Sequence, residues 1–217
     1  SSGDGSTLGD LSSNGHNFAI QGNASWNTDV PEETTTSTNS HSLSFDGVDN
    51  YVSLPPIDLS AQSTLTFSAD IKIDDITDYI VLLRQDGFNG LDWLLQINNN
   101  GASIESQIIT NTQNHAGITI LIDINQFLSQ WNNITTTYDG ENIRIYLNGG
   151  LIQTGAWDGI INFHSDNMLY FGGVPGSNNH ILNGKLDNIA IWETALTQSE
   201  IQSYMTTSPT GNESGLV

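Results

Sequence analysis

Residues 64–73, TLTFSADIKI, leave a chain of this kind little choice of architecture. Leu65, Phe67, Ala69, Ile71 and Ile73 alternate with Thr66, Ser68, Asp70 and Lys72. A strict period of two is satisfied by an extended strand with one face in a core and the other in water. The pattern recurs in ENIRIYLNGG, where Ile143, Ile145 and Leu147 oppose Arg144 and Tyr146 before an Asn-Gly turn signal. Just upstream, ITTTYDG ends in Asp139-Gly140, so residues 134–149 read as two paired antiparallel strands. Shorter runs (SLSF, YVSL, YIVLLRQ, DWLLQIN, SIESQII, ITILI, MLYFGG) lie between clusters of Gly, Asn and Asp. Short strands spaced by turn residues predict an all-β sandwich or jelly roll. Helix is confined to one good candidate at Thr197, where Thr197 and Glu200 have capping-box spacing ahead of Ile201 and Tyr204. INQFLSQW suggests a further short turn.

Composition then narrows the partners. Twenty-four Asp and Glu face 4 Lys and Arg, for a formal net charge of -20. Such a surface has no means of displacing counterions from phosphates, which argues against nucleic acid and anionic membranes. Asp outnumbers Glu 17 to 7, a bias that favours turns and oxygen-rich loops and so leaves room for calcium. Cysteine is absent, which excludes disulfides and thiolate chemistry. No apolar run approaches the roughly 20 residues of a spanning helix, and no signal-like segment opens the chain, so residue 1 reads as the start of an excised or mature segment.

Four segments in order carry a resemblance. SLSFDGVDNYVSL with TLTFSADIKI, then WNNITTTYDGENIRIYLNGGLIQTG, then LNGKLDNIAIWETALTQSEI, preceded by DLSSNGHNFAIQGNASW, resemble the laminin G-like branch of the concanavalin A-like lectin/glucanase superfamily. The resemblance implies a two-sheet antiparallel jelly roll with one short C-terminal helix, exported to the bacterial surface or secreted, in a family that binds glycans, proteins or calcium. Residues 1–208 are expected to form this domain, its first strand possibly missing. Residues 209–217 are expected to form a linker and the start of a following module, since GNESGLV resembles a module's first residues.

Function is expected to be non-catalytic carbohydrate recognition by a module of a larger protein, with glycan or polysaccharide and the adjacent modules as partners. Adhesion or spacing is the alternative, and a polysaccharide-degrading domain a more distant one. Retaining glycosidases need carboxylates about 5 to 5.5 Å apart, and no Glu-x-Asp-x-(x)-Glu run is present. Trp157, in GAWDGI, is the aromatic best placed to be exposed, with Tyr79, Phe88, His164, Asn178 and His180 in other loop-like stretches that can share a rim.

One carboxylate is out of place. Simple alternation along GKLDNIAIW puts Asp187 on the side of Ile189 and Ile191, where an uncompensated charge would be costly. By resemblance, a structural calcium there would join Asp187 to Gly47 and Asp49 of the FDGVDN turn and to Asp10 of GDLSSNG. Backbone hydrogen bonds or a pair with Lys185 would serve instead.

Overall fold

A computed structural model describes residues 5–12, 14–32, 39–59, 62–76, 79–87, 90–98, 102–112, 117–177 and 180–217. These form, in chain order, β1 (Thr7–Leu8), β2 (Phe18–Gln21), β3 (Ser25–Asn27), β4 (Ser42–Asp46) and β5 (Tyr51–Leu54). Next come β6 (Leu65–Asp75), β7 (Tyr79–Gly87), β8 (Gly90–Asn98), β9 (Ser103–Ile108) and β10 (Gly117–Leu121). The last strands are β11 (Trp131–Tyr138), β12 (Asn142–Leu147), β13 (Gly150–Ala156), β14 (Met168–Phe171) and β15 (Asn183–Trp192), followed by the helix α1 (Gln198–Tyr204).

The strands pack as two antiparallel sheets, an eight-stranded one ordered β1-β2-β5-β14-β7-β8-β9-β10 and a seven-stranded one ordered β13-β12-β11-β6-β15-β4-β3. This is the expected jelly-roll sandwich. Between the sheets, Phe67 of β6 stacks on Phe171 of β14 at 5.9 Å and meets Trp93 of β8 edge-on at 6.1 Å. Aromatic pairs of this geometry add to the area they bury.

Local signals translate directly. Along β6 the odd-numbered apolar residues are buried while Ser68, Asp70 and Lys72 are partly exposed. The β11–β12 hairpin closes at Asp139-Gly140, with Tyr138 opposite Ile143. Asn148 and Gly149, both at positive φ (49° and 72°), make the two-residue turn into β13. INQF forms a single 3-10 turn. At α1, Thr197 Oγ1 accepts from the Glu200 N–H and the Glu200 carboxylate accepts from the Thr197 N–H at 2.7 Å, a complete capping box. The helix seals a second small core in which Trp192 stacks on Tyr204 at 5.3 Å, beside Tyr146, Leu196 and Ile201. Thus Trp192 faces away from the main core yet stays buried.

Residues 209–217, expected as a linker and module start, return to the domain. Leu216 bridges Trp192 in antiparallel register, and the Val217 N–H donates to the Ile191 carbonyl at 2.9 Å.

Candidate functional site

Asp187 does not point where alternation puts it. The register pairs Leu186 with Ile71, Asp187 with Asp70, Ala190 with Ser68 and Ile191 with Phe67. Two steps along β6 are therefore matched by three along β15, the mark of a β-bulge. Asn188 takes a positive φ of 47° within it, a conformation Asn tolerates better than most residues. The extra residue shifts the phase, so Ile189 shares the side of Ile191, whereas Asp187 lies in register with Asp70 on the polar side of β6. Its Oδ2 accepts from Asn39 Nδ2 at 2.7 Å and its Oδ1 from the Asn188 N–H at 2.8 Å. Asp70 in turn accepts from the side-chain amides of Asn133 and Asn188. Amides thus provide the compensation.

The four residues expected to share calcium do not assemble. Gly47 packs against Asn183, the β15 residue opposite Asp46. Asn183 lies four positions before Asp187, about 13 Å at the usual rise of a strand. Ligands of one calcium, each about 2.3–2.6 Å from it, must lie within about 5 Å of one another. Asp49, in the same turn as Gly47, sits against Gly22. Asp10 does line the same cavity as Asp187, but its carboxylate organises its own loop. It accepts from the Ser12 N–H and hydroxyl at 2.7 Å each and from the His16 N–H at 2.8 Å. Burial opposes ionisation there, yet these donors hold the carboxyl below its ordinary value. Among the described residues no three acidic or histidine side chains gather closely enough to hold an ion. Calcium also accepts backbone and amide oxygens, so melting with and without EDTA is the test: a fall of several degrees on chelation would reveal an ion held by such groups.

The expected aromatic platform is also displaced. Trp157 is only 6 % exposed, packed in the main core, and its Nε1–H donates to the Ile108 carbonyl at 3.0 Å. Such an indole has no face to offer a sugar. His164 anchors its loop instead: its N–H and Nδ1 lie 2.8 and 2.6 Å from the carboxylate of Asp92, a residue of β8 with no solvent exposure. Asn167 Nδ2 completes the set at 2.8 Å. Phe88 and Asn178 lie outside the described residues.

Tyr79 and His180 do come together, with ring centroids 5.2 Å apart, and Ser177 Oγ lies 2.8 Å from His180 Nδ1. His180, with Ser177, lines a concavity on the outer face of the eight-stranded sheet that sequence reasoning did not assemble. Its floor is built by the pleat. Leu169 and Phe171 point inward, so Tyr170 points out, directly opposite Arg84 of β7. Asp86 lies two residues on, and Arg84 Nε donates to its carboxylate at 2.6 Å. Tyr51 of β5 packs edge-on against Tyr170 at 5.9 Å. One wall is the loop of residues 172–182, which contributes Val174, Pro175, Ser177 and His180.

That loop leaves β14 through Gly172, at a φ of 71°, where an added Cβ would fall 2.4 Å from the Phe45 ring. Leu182 N–H closes the loop onto the Gly172 carbonyl at 2.7 Å. The concavity has a volume of about 430 Å³. Burial, reinforced by Asp86 and Tyr51, raises the Tyr170 pKa, so its hydroxyl stays a donor at neutral pH. The arrangement offers an aromatic ring, a guanidinium, a carboxylate, a hydroxyl and an imidazole within one shallow surface.

Comparison with known proteins bears on the fold. Domain 4 of AbnA, an extracellular GH43 arabinanase from Geobacillus stearothermophilus solved with arabinotriose, superposes with a TM-score of 0.63 at 14 % identity, covering 87 % of each chain. The binding domain of Paraclostridial Mosquitocidal Protein 1 gives a TM-score of 0.70 at 16 % identity over 93 % of this chain and 50 % of that one. A putative carbohydrate-binding protein from Bacteroides ovatus gives 0.60 at 18 % identity over 76 % and 47 %. At these identities the likeness is one of fold. Mouse pappalysin-1 is 34 % identical over 82 residues, 36 % of this chain, which spans only 5 % of that relative's length. A family model described as the concanavalin A-like lectin/glucanases superfamily matches residues 46–202. The chain therefore belongs to the laminin G-like branch of the concanavalin A-like superfamily.

Proposed function

We propose that this domain is a non-catalytic carbohydrate-binding module whose glycan lies in the concavity over β7 and β14. The observation that carries the reading is the direct cross-strand pairing of Tyr170 with Arg84, flanked by Asp86, Ser177 and His180. A sugar has apolar C–H faces and a girdle of hydroxyls. The first suits an aromatic ring, the second suits charged groups that donate and accept. The ion pair engages Nε of Arg84, which leaves its Nη donors for hydroxyls. Among the described residues lining the concavity, Asp86 is the one carboxylate, whereas glycoside hydrolysis needs a pair.

The superposed arabinanase domain was solved with an oligosaccharide and the Bacteroides protein is described as carbohydrate-binding, which supports a glycan ligand. A secreted or surface-exposed module of a larger protein is the setting this reading assigns; no helix among the described residues is long and apolar enough to cross a membrane. The test is a glycan array probed with the wild-type domain and with Arg84→Ala. Binding by the wild type, lost in the variant, is the expected result. An array on which the wild type binds nothing would overturn the reading in favour of adhesion or spacing.

A further inference from the structure

All 4 basic side chains of this protein are committed to carboxylates. Lys72 lies 2.8 Å from Asp29, Lys185 lies 3.5 Å from Asp29 and 3.4 Å from Asp74, Arg144 pairs with Asp139, and Arg84 pairs with Asp86 at 2.6 Å. With a formal net charge of -20, no cation is left over to serve as counter-charge to an anionic ligand. The concavity over β7 and β14 repeats this balance locally. Among the described residues lining it, one guanidinium faces one carboxylate.

The pair is particular about the atoms it uses. Arg84 and Asp86 share the outward phase of β7, with side-chain exposures of 27 % and 24 %. Their contact joins Arg84 Nε to Asp86 Oδ2. Among the described residues, Asp86 Oδ1 and the Nη groups of Arg84 make no further hydrogen bond. An acceptor and a fan of donors thus stand side by side. Two hydroxyls on neighbouring ring carbons of a sugar fit them, one donating to Oδ1 and the other accepting from Nη. A sugar carboxylate fits badly. It must either draw Arg84 away and leave Asp86 half-buried without its partner, or lie beside Asp86 at like charge. The acidic field of the whole chain adds to the repulsion.

We infer that the concavity takes neutral glycans presenting a pair of adjacent hydroxyls and rejects glycans that carry uronic or sialic acid. The inference rests on the carbohydrate-binding reading of the same face and narrows it. The ion pair sets the charge class of the sugar and leaves its further identity to other groups.

The test is an array of neutral oligosaccharides and their uronate- and sialate-bearing counterparts, probed with the full chain and with Asp86→Ala in about 50 mM and about 500 mM sodium chloride. Wild type is expected to bind neutral probes alone, with affinity changing less than about twofold between the two salts, because no net charge is exchanged. Asp86→Ala frees the guanidinium, so it is expected to lose neutral binding by about tenfold or more and to gain acidic probes in low salt. Acidic probes held by the wild type as well as neutral ones, or better, would overturn the inference while leaving a carbohydrate-binding module in place. An Asp86→Ala protein that is folded by its thermal melt and keeps the wild-type preference would overturn it too. The wild-type comparison needs no variant and decides the question even where Asp86→Ala fails to fold. An array blank for neutral and acidic probes alike would overturn the carbohydrate-binding reading itself, and the inference with it.

Discussion

Asp92→Ala is expected to lower stability by about 3 kcal/mol and the melting temperature by roughly 6–12 °C. Asp92 accepts from the His164 main chain, the His164 ring and the Asn167 amide. Losing those bonds takes an acceptor from the buried Asn167 amide and from the partly buried His164 donors, and breaking a network by removing one member is the expensive way to break it. Asp92→Asn, which keeps one oxygen acceptor, is expected to retain part of the difference. The loop of residues 158–167 carries Phe163, stacked at 5.8 Å on Trp93, so the loss should reach the core. Chemical denaturation of both variants measures the effect. An Asp92→Ala protein as stable as wild type would show that the carboxylate is not what holds this loop.

Tyr170→Ala is expected to weaken glycan binding at least about tenfold, equivalent to roughly 1.4 kcal/mol. The ring forms the floor of the concavity and supplies its largest flat surface. It lies on the outer side of the sheet, partly exposed, so its removal should shift the melting temperature far less than Asp92→Ala. Tyr170→Phe separates the two contributions of the side chain. Binding retained in Phe would assign the effect to stacking, and binding lost in both would assign it to the hydroxyl. Isothermal titration with a glycan identified on the array reads the change, and unaltered affinity in Tyr170→Ala would remove the ligand from this face.

What was legible in the chain was whatever depends on neighbours in sequence. The period-two pattern of residues 65–73, the Asn148-Gly149 turn and the Thr197–Glu200 capping box each hold their physics within a few residues, and each appears as read. Trp157 was misread because Gly155 and Gly159 around it imitate an open loop, while the group that claims its indole N–H, Ile108, lies 49 residues away.

Asp187 was misread because alternation assumes an unbroken ladder. The adjacent Asn188, a residue that accepts positive φ, was the available hint of a bulge. The Tyr170–Arg84 pair depends on the register between β14 and β7, which nothing local in either strand announces. Tyr79 and His180 could be listed as loop residues but not joined, since their contact depends on the path of the 172–182 loop.

The position of β7 and β14 inside the eight-stranded sheet, each hydrogen-bonded on both flanks, has a consequence for how recognition could diversify. Main chain held from two sides cannot shift to accommodate a different ligand, so the floor is a fixed anvil that meets its guest without an ordering cost. On the proposed function, discrimination among sugars would then fall to the wall. Exchanging residues 175–180 for a segment of another sequence, with Gly172, Gly173, Val174, Ile181 and Leu182 retained because they pack against the sandwich, should alter what the proposed site accepts while the thermal melt stays close to the parent's.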